Sequence, residues 1–132
     1  MRTIEQQRAA DAHSYIQKLR DKSDAFKACY RSYIERLGPA IVMNSLGQAL
    51  ATERAAAGSG NGDDPHNAVY KGMQHWLCRS EGGIYPGAED LLEAIVSHEE
   101  ADYLRAQAEG LAWLEWHKKF CRAAFPKLDG GG

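Results

Sequence analysis

Apolar residues recur at three- and four-residue spacing along most of the chain, and no segment alternates apolar with polar between hairpin turns. The pattern predicts an all-α fold, a single-domain bundle of about six helices. Thr3 followed by Gln6 reads as a capping box, opening a helix that runs to about residue 22. Its apolar face is Ala9, Ala12, Tyr15, Ile16 and Leu19. Ser23 is placed to cap a second helix, with Phe26, Cys29, Tyr30, Tyr33, Ile34 and Leu37 as its stripe. Gly38 and Pro39 should close that helix, since proline is tolerated at a first helical position but not inside. A third helix is therefore expected over 39–57, facing Ile41, Val42, Leu46, Ala49 and Leu50 inward.

The glycine- and aspartate-rich run over about 58–64 predicts a flexible loop. Asp64 before Pro65 makes a cap for a fourth helix, which carries Val69, Met73, Trp76 and Leu77. After a second break over 81–87, a short fifth helix uses Leu91, Leu92, Ile95 and Val96. The sixth is expected to begin at Ser97, with Glu100 completing another capping box. It is the longest, at roughly 27 residues or about 40 Å. Leu104, Ala108 and Leu111 share one stripe, while Trp113, Trp116 and Phe120 form another. Lys118, Lys119 and Arg122 complement the negative end of its dipole.

The 132 residues suit one domain, expected over 1–129 with a frayed tail at 130–132. The net charge of -2 makes the whole chain neither a nucleic-acid magnet nor an acidic tail. Its distribution is uneven. Residues 1–36 hold eight Lys/Arg against five Asp/Glu, and the remainder holds eight against thirteen. The three cysteines, Cys29, Cys78 and Cys121, are widely spaced and form no CxxC pair, which fits three buried thiols in a reducing cytosol. No stretch approaches the roughly 20 apolar residues of a membrane span, and the first residues lack the apolar core of a signal peptide. A cytoplasmic protein with no membrane contact is expected.

Motifs that resemble chemistry lack its geometry. Gly58-Ser59-Gly60-Asn61-Gly62 follows a helix and has no Gly-Lys-Ser/Thr ending, so it reads as a linker and not as a phosphate loop. His98 and Glu99 start like a zinc-protease helix, but Asp102 stands where the second histidine is required. His75 and Cys78 could share a metal, yet no second pair at ligand spacing accompanies them. Neither metal, cofactor nor enzymatic activity is expected.

Other features ask for a reason. Gly47 lies inside a helix, where glycine costs about 1 kcal/mol relative to alanine. Either helices of the bundle pack closely there, or another chain or a phosphate approaches, with Asn44 and Gln48 as polar contacts. Trp113 and Trp116 place apolar bulk on two sides of the last helix, which is then either central or pressed against a partner. Arg2, Glu5 and Arg8 lie beside the stripe of the first helix, as a surface ion pair or as a subunit contact. Lys18, Arg20, Lys22, Lys27 and Arg31 gather around the first interhelical turn. They either solvate that turn or contact phosphates without reading sequence.

Three blocks of the chain carry a family resemblance. The opening from Arg2 to Ala10, the Leu46-Gly47-Gln48-Ala49-Leu50 segment, and the ending from Tyr103 through Trp113-Leu114-Glu115-Trp116 to Phe120 occur in order and span nearly the whole length. In these blocks the chain resembles the small helical subunit of the Cmr complex, the type III-B CRISPR effector; Ser45 departs from the glycine of that pattern. The resemblance implies a non-catalytic protein stacked in several copies along the guide-carrying backbone subunits. It implies contact with the large subunit and with the guide and target RNA. Arg2, Glu5, Arg8, Asn44, Gly47, Gln48, Trp113 and Trp116 are then candidate interface residues, and the basic cluster is a candidate RNA contact. An autonomous helical adaptor or dimerisation module without nucleic acid is the alternative.

Overall fold

Most helices begin where a short polar side chain takes up a free backbone N–H. In the computed structural model, which describes residues 1–58 and 63–128, helix α1 (Ile4–Lys18) opens on a complete capping box. The Gln6 N–H donates to Thr3 Oγ1 at 3.1 Å, and the Thr3 N–H to Gln6 Oε1 at 2.8 Å. Ser23 caps α2 (Asp24–Asn44) by accepting from the Phe26 N–H, after which a sharp corner leads into α3 (Leu46–Ala57). Asp64 caps α4 (Pro65–Leu77), Asp90 caps the short α5 (Leu91–Ser97), and α6 (Glu100–Ala124) is the longest element. There is no strand among the described residues, and the all-α expectation holds. Of the glycine-rich loop expected over 58–64, residues 59–62 lie outside the described residues, as does the expected tail.

The main departure is at Gly38-Pro39. The second helix does not close there; it continues through Pro39 to Asn44. Packing explains why. Phe26, Tyr30, Ile34, Leu37 and Ile41 form one unbroken buried stripe, and Leu37 and Ile41 lie on either side of the proline. Burying such side chains is worth about 1.5–3 kcal/mol each, enough to offset the ~3 kcal/mol cost of an interior proline. Gly38 eases the fit, because the clash between a proline ring and a preceding Cβ cannot arise. Val42, expected in the core, then belongs to α2 and is 72 % exposed.

Two other boundaries move. The first helix ends at Lys18, not near residue 22, and the sixth starts at Glu100. Ser97 is the last residue of α5, and its hydroxyl donates back to the Glu93 carbonyl, so it caps nothing. Val96 and Leu104 are also exposed. The core stripe of α6 is Ala106, Gly110, Trp113, Leu114, His117 and Cys121, and Leu104 falls well off that face.

Helix α6 is the centre of the bundle. Against it lie α1, α2 and α4. Trp113 and His117 are fully buried on it, with rings 4.2 Å apart. His117 Nε2 and Tyr30 Oη share a hydrogen bond of 2.6 Å, while Nδ1 has no partner among the described residues. Burial in these apolar surroundings pushes the His117 pKa down to about 3.

Pro39→Ala should stabilise the protein by about 1–3 kcal/mol, since it restores a helical donor without disturbing the buried stripe. Urea unfolding is the measurement, and an unchanged or lower midpoint would mean that α2 is not continuous. The buried histidine gives a pH dependence. Folded His117 is neutral down to about pH 3, whereas the unfolded side chain titrates near 6.5. The unfolded state therefore binds more protons between these values, and stability falls with pH through that window, by at most about 1.4 kcal/mol per unit. Between pH 6.5 and 5, His117→Gln should show a flatter stability profile than the natural chain. Parallel profiles would contradict a buried neutral ring.

Candidate nucleic-acid interface

The basic residues of the first quarter are positioned by the α1–α2 turn and by the outer face of α2. Lys18 ends α1 and is exposed. The Arg20 side chain donates to Gln17, and Lys27 Nζ donates to the Arg20 carbonyl at 3.0 Å, which ties the turn to the first coil of α2. Lys22 pairs with Asp63 at 2.6 Å and lies over the Phe26 ring. Four of the five cations thus gather at one turn. Arg31 sits one helical turn further, where its Nη1 donates to the Phe125 carbonyl at 2.9 Å.

That last contact brings in residues from the other end of the chain. Beyond α6 the segment Phe125–Leu128 folds back across α2, with Lys27 over the Phe125 ring. Arg122 Nε donates to Glu35 Oε1 at 2.6 Å, and Arg31 Nε lies 4.0 Å from the same oxygen. A cleft of about 520 Å³ opens among Arg31, Ser32, Glu35, Arg122 and Lys127. Arg122 and Lys127 are therefore part of the basic surface, although they do not belong to the basic quarter of the sequence. Their role has no local signal, because Arg31 and Phe125 are 94 residues apart.

The candidate interface residues divide into three groups. Glu5, Arg8, Trp113 and Trp116 bond within the chain. Arg8 holds Glu109 with two hydrogen bonds, of 2.6 and 2.9 Å, and donates to Glu5 at 2.5 Å. Trp116 Nε1 donates to Glu5, Trp113 Nε1 to Asp11, and Trp76 Nε1 to Glu109. The hydrogen bond to Glu109 raises the Arg8 pKa above its ordinary value. Burial pushes the Glu109 pKa up, but the bonds from Arg8 and Trp76 outweigh it and hold the carboxyl below its usual range. Arg2, Asn44 and Gln48 are exposed.

Gly47 belongs to a third arrangement. Its N–H donates to Tyr103 Oη at 2.7 Å, and Tyr103 in turn donates to Ser45 Oγ at 2.9 Å. A Cβ at Gly47 would meet that hydroxyl at 3.2 Å, so the space beside the glycine is occupied by Tyr103 of the same chain. Ser45 makes the corner with φ 80° and ψ 161°, a conformation natural to glycine. Around this corner Val42, Met43, Val96 and Leu104 are all more than half exposed.

Among the described residues no group of three or more His, Cys, Asp and Glu could hold a metal. His75 pairs with Asp11, and Cys78 is buried at the end of α4, so the two do not converge. Burial pushes the Cys78 thiol up to about 11 and the Cys121 thiol up to about 12, far from a reactive thiolate. Cys29 is only partly buried, contrary to expectation, because α2 turns it toward the groove beside the C-terminal segment. No helix among the described residues is long and apolar enough to cross a membrane.

Fold and surface together define a small helical bundle with a basic groove formed between its two ends. The family model for CRISPR-associated protein (Cas_Cmr5) matches residues 4–124, which take in all six helices. The chain belongs to the Cas_Cmr5 family. It is also similar to the crystal structure of a CRISPR-associated Cmr5 family protein from Thermus thermophilus, with a TM-score of 0.73 and 26% identity. That match covers 96% of this chain and 100% of the other.

The corner yields a stability prediction. At an ordinary position glycine is less stable than alanine, but φ 80° reverses the order. Ser45→Gly should exceed Ser45→Ala in unfolding free energy by about 1–2 kcal/mol. Equal values in denaturant titrations would mean that Ser45 does not hold this backbone.

Proposed function

We propose that the chain is a non-catalytic small subunit of the type III-B CRISPR effector, stacking along the complex and helping to hold target RNA. The observation that carries this reading is the family match across all six helices. The surface supports it from below. Cations from the α1–α2 turn and from the C-terminal end of α6 meet on one side, a footprint suited to phosphates and not to base edges. The buried thiols of Cys78 and Cys121, pushed up by burial, and the buried neutral His117 support a protein that binds and does not react. A cytoplasmic location follows from membership of a guide-RNA effector.

In this reading neighbouring subunits meet the exposed corner of Val42, Met43, Val96 and Leu104, with Asn44 and Gln48 as its polar contacts and Arg2 as a separate polar contact. Copies of the chain itself, the backbone subunits and the large subunit are the partners. Guide pairing supplies sequence recognition, and this subunit adds charge.

The test uses the assembled complex. Reversing Lys18, Arg20 and Lys22 to Glu should leave the isolated subunit folded, because all three sit at an open turn. Target RNA binding by the complex should weaken. Each lost phosphate contact should flatten the slope of log affinity against log salt by about 0.7. An unchanged affinity and slope would reduce these residues to solvation of a turn.

A further inference from the structure

Three hollows adjoin along the outer face of α2. The cleft at Arg31 and Arg122 shares Ala28, Lys127 and Leu128 with a second hollow of about 410 Å³. That hollow shares Ala25 and Cys29 with a third, of about 500 Å³, which reaches Lys22 and Asp63. Together they make one groove. Its floor over the first two hollows is the small-residue face Ala25, Ala28, Cys29 and Ser32, while Phe26 lines the third. From Ala25 to Glu35 the floor is about 15 Å long at 1.5 Å per residue.

Charge along the groove is uneven. At the Lys22 end, Asp21 and Asp63 offset the lysine, and Asp24 borders the middle. At the far end, among the described residues, three cations, Arg31, Arg122 and Lys127, face one carboxylate, Glu35. Glu35 is already engaged by Arg122, and Arg31 Nε, 4.0 Å from Glu35, has no hydrogen-bond acceptor among the described residues. This end therefore has positive charge and donor capacity left over. A phosphate suits it, since arginine forks match phosphate oxygens and lysine adds a point charge.

We propose that a single-stranded RNA backbone crosses the far end of this groove, with one phosphate seated among Arg31, Arg122 and Lys127. The inference rests on reading the chain as an RNA-contacting subunit, and adds the place where contact is made. It brings in Arg122 and Lys127 as phosphate ligands, with Glu35 positioning the Arg122 guanidinium. The smooth floor lets the strand pass without selecting bases.

The test titrates the purified full chain with a fluorescently labelled single-stranded oligouridylate across a range of salt concentrations. Both target residues are exposed, and a surface pair such as Arg122–Glu35 adds little stability, so Arg122→Gln with Lys127→Gln should stay folded with at most a small loss of stability. Its affinity should fall several-fold, and its salt slope should flatten by about 1.4, the value for two lost contacts on a single strand. If the natural chain binds and reversal of Lys18, Arg20 and Lys22 weakens it, while the double variant keeps affinity and slope, the groove assignment is overturned and the RNA reading stands. If the natural chain takes up no RNA even at low salt, both fall together.

Discussion

A buried tryptophan needs an acceptor for its indole N–H, and this bundle has two, Trp76 and Trp113, with a third, Trp116, half-buried beside them. An unpartnered buried donor costs about 1–3 kcal/mol. Each of the three is met by a carboxylate: Asp11 for Trp113, Glu5 for Trp116, and Glu109 for Trp76. Carboxylates drawn toward an apolar interior need countercharge in turn. Arg8 supplies it to Glu109, His75 faces Asp11, and Arg79 covers the Trp76 ring at 3.4 Å. The central helix can therefore be apolar on several sides because α1 carries the acids and the arginine that its tryptophan edges require. The position of α1 follows from that exchange.

This explains why the first block of the sequence reads two ways. Glu5 and Arg8 at i,i+3 look like a surface pair or a docking patch. In the fold they close a network with residues more than 100 positions away. Nothing within a few residues of Arg8 signals Glu109. Three caps, by contrast, were legible because both partners lie within one turn: Thr3 with Gln6, Ser23 with Phe26 and Asp64 with His66; the box read at Ser97 and Glu100 failed, since Ser97 ends α5 instead. The proline misled for the same reason in reverse. Its local penalty is visible, whereas the burial of Leu37 and Ile41 that offsets it is a tertiary fact. The phase error at Val42 follows from that one boundary. Five of the seven cations of the basic surface were likewise open to local reading, and Arg122 and Lys127 were not.

Helix directions then sort the surface. Tyr30 meets His117 and Arg31 meets Phe125, whereas Leu46 meets Gln107, so α2 runs antiparallel to α6. The start of α2 consequently lies beside the end of α6, and the end of α2 beside the start of α6. Cations near both chain ends converge at the first place. Exposed apolar side chains and the strained Ser45 gather at the second.

From Ala28 to Met43 these places are separated by about 20 Å of helix. In the proposed role that spacing has a use. A subunit that stacks beside its neighbours while leaving a strand accessible has to keep its protein contacts away from its phosphate contacts. An antiparallel pair of long helices does so without a second domain. The same pair also couples the two ends mechanically, since Tyr103 grips the corner through Ser45 and Gly47 while Arg122 grips the groove through Glu35. Both grips are made by α6 on α2 or its corner. A shift of one helix along the other would disturb both at once, so the burial of Trp113 and His117 between them holds the two surfaces in register.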